Sequence, residues 1–179
     1  MRVQAATAGI TMNTSRDRFQ ALLGQHEKLV FKVANMYCRN AEDRRDLAQE
    51  ICVQAWRSFG SYDAARSFST WMYRIALNVA ISFARSAGLR ERHAVAMEDD
   101  ALDVADSSAT LHEPDERVRA LHNFIEQLDA LNRALMLLYL EDRSYREIAE
   151  VLGITETNVA TKINRLKQRI RTGISEREQ

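Results

Sequence analysis

Apolar residues recur at three- and four-residue steps through most of this chain, and Pro114 is its single proline. A half-buried strand needs strict alternation, and a turn-rich β fold needs many breakers. With only six glycines in 179 residues, the expectation is an all-α fold. Phe19, Leu22, Leu23, Leu29, Val30, Val33, Ala34 and Tyr37 share one face of a first helix, from about Arg16 to Arg39. Residues 1–15 carry no such stripe and read as a disordered tail. A second helix, from about Asp43 to Phe59, has the stripe Leu47, Ile51 and Ala55, with Cys52, Trp56 and Phe59 alongside. Residues 60–67 read as a loop. A third helix opens at Ser69 or Thr70, both good N-caps, and runs to about Arg90.

The periodicity then stops. Residues 91–115 hold one Lys/Arg against eight Asp/Glu, and they read as a flexible acidic linker. Residues 1–90 balance to +6 and residues 116–179 to +1, so a formal net charge of zero hides a strong asymmetry. Past the linker the pattern predicts helices over about 116–132 and 131–141. The expected architecture is therefore two small helical domains joined by a flexible acidic linker. No stretch approaches the roughly 20 apolar residues of a membrane span. Cys38 and Cys52 form neither a CxxC pair nor a metal spacing and read as reduced thiols packed in helices of a cytoplasmic protein.

Residues 144–171, SYREIAEVLGITETNVATKINRLKQRIR, carry the strongest local signal. Ser144 and Glu147 form a capping-box pattern, Gly153 suits the left-handed residue that ends a helix, and Ile154 plugs the turn. Val159, Ile163, Leu166 and Ile170 then repeat at steps of four, three and four, so they pack inward. This is the layout of a helix-turn-helix. Its outer face offers Glu156, Thr157, Asn158, Thr161, Lys162, Asn164 and Arg165, followed by Lys167, Arg169 and Arg171. Asn and Thr can bond base edges in a major groove, and Lys and Arg can reach phosphates. The bland alternative is a helical hairpin with a solvated basic face.

A second signal is FGSYDAARSFSTWMYRIALNVAISFAR, residues 59–85. Aromatic and Arg side chains together can stack unpaired bases and neutralise phosphate, although Phe68, Trp71 and Tyr73 at these spacings equally suit a core.

DLAQEICVQAWRSF, FSTWMYRIALN, the acidic linker and YREIAEVLGITETNVATKINRLKQRIR together resemble extracytoplasmic-function sigma factors of the sigma-70 family, in content and order over about residues 16–174. The resemblance implies a region 2 domain over 16–90, a linker over 91–115 and a region 4 domain over 116–179. It implies a non-catalytic subunit that binds core RNA polymerase and promoter DNA, needs no cofactor or metal, and is commonly held inactive by an anti-sigma factor. Carried over by position, Asp43, Asp46, Leu47, Gln49 and Glu50 correspond to the core-binding motif. Ser61, Tyr62, Arg66 and Ser69 fall on the loop that captures a flipped −10 base, with Arg74, Asn78 and Arg85 along the strand's path; Trp71 and Ile75 suit packing. Thr157, Asn158, Thr161, Lys162, Arg165, Lys167 and Arg169 fall on the −35 surface. In relatives the linker threads the RNA exit path, where acidic charge mimics RNA; a solvated spacer is the plainer reading.

Two positions depart from the family. Asp43-Arg44-Arg45-Asp46 stands where many relatives carry an acidic D-A-E-D segment, and Arg85-Ser86 stands where a basic pair often ends the −10 helix. A self-sufficient helix-turn-helix regulator is the competing reading, but residues 1–90 carry no ligand-pocket signature. An enzyme is disfavoured, because His26, His93, His112 and His122 are scattered and no nucleophile, phosphate-loop or metal pattern accompanies them.

Overall fold

A computed structural model describes the backbone of residues 3–95 and 116–175, with side chains described over 14–86 and 121–172. It is all-helical across those residues. Helix α1 spans Val3–Gln25, α2 Glu27–Tyr37, α3 Ala41–Ser58, α4 Phe68–Val95, α5 Glu116–Glu126, α6 Ala130–Leu140, α7 Tyr145–Leu152 and α8 Glu156–Ser175, with a 3-10 turn at Phe59–Ser61. Among them no helix is long and apolar enough to cross a membrane.

Two expectations at the N-terminus need correction. The helix starts at Val3 and not near Arg16. Residues 3–13 mix Ala5, Ala6 and Ala8 with weaker helix formers such as Thr7, Gly9, Thr11 and Asn13, and α1 carries no amphipathic stripe, so apolar spacing does not mark its start. The first helix is also two helices, interrupted at His26, whose backbone leaves the helical region (φ −120°, ψ 14°). His26 Nδ1 lies 2.9 Å from the Leu22 carbonyl, so the side chain partly satisfies the turn.

The other boundaries follow caps. Asn40 caps α3, its side-chain oxygen accepting from the Asp43 amide at 2.7 Å, and Glu42 and Asp43 sit in the first turn where the helix dipole favours acids. The expected helix over 116–132 instead ends at Glu126, because Asp129 caps the next one by accepting from the Leu131 and Asn132 amides. Helix α4 runs five residues beyond Arg90, into the segment expected to be linker; residues 96–115 lie outside the described residues.

Between α6 and α7 the chain turns through Asp142 in the left-handed region (φ 55°). The Asp142 amide donates to the Tyr139 carbonyl and the Arg143 amide to Leu138, both at 3.1 Å, the paired bonds of a Schellman ending. Helix α7 then opens with the capping box Ser144–Glu147 and closes on Gly153 (φ 66°), as the sequence predicts.

Phe19, Val33, Leu47, Ile51, Met72 and Leu77 form the buried centre of the N-terminal half, and Leu135, Leu138, Ile148, Val159 and Ile163 that of the C-terminal half. The two are continuous. Helix α4 packs against α2 and α3 on one side and against α6 and α7 on the other, and one apolar cluster runs through both halves. Burial pushes the Cys38 thiol up to about 11, with nearby Asp43 adding to the shift, and both Cys38 and Cys52 are unpaired thiols.

Candidate polymerase and nucleic-acid interface

The outward residues of three helices make up the candidate site. On α3, Asp46, Gln49 and Glu50 are exposed, and Glu50 accepts from Gln54 Nε2 at 2.7 Å. Leu47, grouped with them from the sequence, is fully buried. It anchors α3 in the core and no partner surface can reach it, so its place in the core-binding set is corrected. Asp43 is turned toward the helix start, accepting from Asn40 Nδ2 at 2.7 Å. Trp56, assigned to the core stripe's flank, keeps 41% of its surface exposed while its ring lies 5.3 Å from Phe19. The sequence signal for that was weak, because a tryptophan beside a stripe reads as core.

The loop before α4 is an aromatic block. Tyr62 stacks on Phe59 (centroids 5.8 Å, 19°) and meets Phe68 edge-on at 5.4 Å and Trp71 at 5.1 Å. Its hydroxyl donates to the Arg66 carbonyl at 2.9 Å. Ser61 Oγ donates to the Ser58 carbonyl, and the Asp63 carboxylate accepts from the Ala65 amide. These bonds and rings hold the loop's shape and leave the Arg66 side chain at its rim. Trp71 and Ile75 are partly buried, as the packing assignment expects. Arg74, Asn78 and Arg85 are exposed on α4, at steps of four and seven that keep them on one face.

On α8, Thr157, Asn158, Thr161 and Arg165 are exposed and Lys162 is half-buried at the edge of that face; Val159 and Ile163 are fully buried and Leu166 nearly so beneath. Thr155 Oγ1 accepts from the Asn158 amide and caps the helix. Thr161 Oγ1 donates back to the Thr157 carbonyl at 2.9 Å, so as placed it can accept from a base and must rotate to donate to one. Lys167 and Arg169 are engaged elsewhere. The Lys167 ammonium sits 4.4 Å over the Tyr139 ring and the Arg169 guanidinium 5.5 Å over Phe124. Lys167 is nine residues past Asn158, about half a turn away around the helix, so it flanks the inner face.

A further set of contacts, between residues far apart in the sequence and including the −10 candidates Arg66 and Ser69, joins the two halves. Arg66 pairs with Glu150 on α7 at 2.7 Å. Arg143 donates to Ser69 Oγ at 3.1 Å and lies over the Tyr73 ring. Lys32 pairs with Glu141, which also accepts from the Tyr73 hydroxyl at 3.4 Å. Burial, together with that carboxylate, pushes Tyr73 up to about 12, so its hydroxyl stays a donor. Tyr37, its hydroxyl also pushed up by burial, donates to the Ala130 carbonyl at 2.6 Å. Arg133 donates to the Met36 carbonyl at 3.1 Å.

Two family descriptions match the chain: Sigma-70 region 2 over residues 22–90 and Sigma-70, region 4 over residues 118–170. The chain is 34% identical to the ECF RNA polymerase sigma factor SigK of Mycobacterium sp. (strain JLS), over 88% of this chain and 80% of that one. It is 28% identical to the RNA polymerase sigma-H factor of Pseudomonas aeruginosa, over 85% and 83% of the two chains. Its fold is similar to that of the sigma factor RpoE solved with the anti-sigma factor NepR from Bartonella quintana, with TM-score 0.68, 16% identity, and coverage of 88% of this chain and 97% of the other.

Proposed function

This chain belongs to the extracytoplasmic-function group of the sigma-70 family, whose members direct promoter-specific transcription initiation, and we propose that it does so by dividing the work among three surfaces. The outer face of α3, with Asp46, Gln49 and Glu50, meets core RNA polymerase. The loop from Ser61 to Ser69 and the Arg74–Asn78–Arg85 face of α4 take the unpaired −10 strand. Thr157, Asn158, Thr161, Lys162 and Arg165 on α8 read the −35 duplex.

The observation that carries this reading is the helix-turn-helix at the C-terminal end. Its short first helix is capped at both ends and its second helix buries one stripe and exposes a face of amides, hydroxyls and cations. Early residues of such a helix meet base edges, where Asn and Thr find donors and acceptors. Lys162 and Arg165, about one and two turns beyond Asn158, suit phosphates, which fix register without specifying sequence. At the other end, the ring cluster Phe59–Tyr62–Phe68–Trp71 gives a rigid, partly exposed apolar frame. A base turned out of the stack costs a few kcal/mol, and a preformed frame is suited to offset that. The relative solved with an anti-sigma factor makes a protein inhibitor of that kind an expected third partner, met in the cytoplasm where transcription runs.

In vitro transcription with core enzyme over genomic fragments tests the proposal. Discrete start sites should arise only when chain and core are both present. Lys162→Ala with Arg165→Ala should reduce promoter binding at least tenfold, within the roughly 1–3 kcal/mol of one good contact, and leave core association intact. Gln49→Ala with Glu50→Ala should weaken core association. Tight operator binding by the chain alone, with no effect of core, would favour the self-sufficient regulator.

A further inference from the structure

We propose that His26 is a further contact for the unpaired −10 strand, its Nε2 accepting a hydrogen bond from a base N–H. The inference rests on the strand surface proposed above and adds to it a residue from outside the loop and α4.

His26 stands where α1 gives way to α2, and its non-helical backbone (φ −120°, ψ 14°) turns the chain there. Its ring centroid lies 5.0 Å from that of Phe68, tilted by 56°. Phe68 is the first residue of α4 and meets Tyr62 at 5.4 Å and Trp71 at 5.2 Å. The imidazole is therefore one more ring of the frame that borders the loop, although it comes from a distant part of the sequence.

The two ring nitrogens have different fates. Nδ1 lies 2.9 Å from the Leu22 carbonyl. A carbonyl only accepts, so Nδ1 carries the hydrogen and, in the neutral ring, Nε2 keeps a lone pair. Nε2 has no hydrogen-bond partner among the described residues. Among them, Arg133 Nε is the one buried side-chain nitrogen or oxygen left unpaired, so Nε2 of the half-buried His26 is open to solvent. The result is a single acceptor, its tautomer set by the backbone of α1, at the edge of the aromatic frame.

That chemistry selects the atom it meets. A phosphate offers acceptors alone, which a neutral Nε2 cannot bond. Every unpaired base carries an N–H on the edge that pairing would otherwise occupy, and bases stacked on aromatic side chains are read along that edge. Arg66, Arg74 and Arg85 are the cations that suit the strand's phosphates. His26 supplies what a guanidinium lacks, an acceptor.

Two substitutions separate reading from packing. Asn can place its amide nitrogen where Nδ1 stands, so His26→Asn keeps the Leu22 bond and drops Nε2. Gln can place its amide oxygen near Nε2, so His26→Gln keeps an acceptor. Chain and core polymerase together are given single-stranded oligonucleotides carrying the −10 segment of a start site mapped as above. The base at each position is replaced in turn, and binding is read by fluorescence anisotropy. One position should show a preference that His26→Asn lowers about two- to tenfold, the scale of one net hydrogen bond, with other positions and core association unchanged. An analogue of that base without the N–H should cost the parent the same factor and cost His26→Asn nothing. His26→Gln should recover part of the preference. A loss spread evenly over all positions assigns His26 to packing or to phosphate and overturns the proposal. So does a His26→Asn chain that keeps every preference, which leaves the strand surface itself standing. A parent complex whose binding ignores the −10 bases altogether overturns both.

Discussion

Leu47 and Gln49 stand two residues apart on α3 and have opposite fates, because helical rotation turns one into the core and the other to solvent. A motif carried over by position does not record that rotation. Leu47→Ala should cost about 2–5 kcal/mol of unfolding free energy through the cavity it leaves, read as a lowered urea midpoint. Gln49→Ala should stay within about 0.5 kcal/mol of the parent, as exposed substitutions do. A small effect at Leu47 would return it to the surface set. The same logic separates Lys167 from Arg165: both are basic, but only Arg165 shares the face of Asn158, while Lys167 lies over Tyr139.

Elements were legible where their ends carry side-chain signals. The Ser144–Glu147 box and Gly153 both stand where the spacing put them. The α6 ending did not announce itself, since Asp142 fills a left-handed position usually given to glycine. Asp142→Gly should therefore leave stability equal or raise it by up to about 1 kcal/mol, whereas Ser144→Ala should lower it by about 0.5–2 kcal/mol. The cap also has a pH signature. Glu147 is held below the usual carboxylate range chiefly by the Ser144 amide and then by its hydroxyl. A depressed carboxylate contributes stability above its unfolded pKa and loses it as pH falls through the folded value. The gap between parent and Ser144→Ala in urea titrations should accordingly narrow on acidification; a gap that widens would contradict the capping account.

At the scale of the whole chain, the family's two domains are not separate bodies here. A single apolar cluster runs from Phe19 to Leu166 through α4, and Tyr37 and Arg133 bond across the divide. Calorimetry of the free chain should show one cooperative transition, with van't Hoff and calorimetric enthalpies in agreement. Two resolved transitions would mean that the interface contributes too little to couple the halves.

Helical class, the helix-turn-helix and the inward stripes Val159–Ile163–Leu166 and Leu47–Ile51–Ala55 were readable from spacing alone, because a period of 3.6 residues is a local property that any window of the chain displays. The start of the N-terminal helix is not legible in this way because it carries no apolar stripe. What joins the halves was beyond any window: Arg66 and Glu150 are 84 positions apart, and Arg143 and Ser69 are 74. Such pairs are chosen by how helices pack in space, and only the folded chain decides which exposed charges meet.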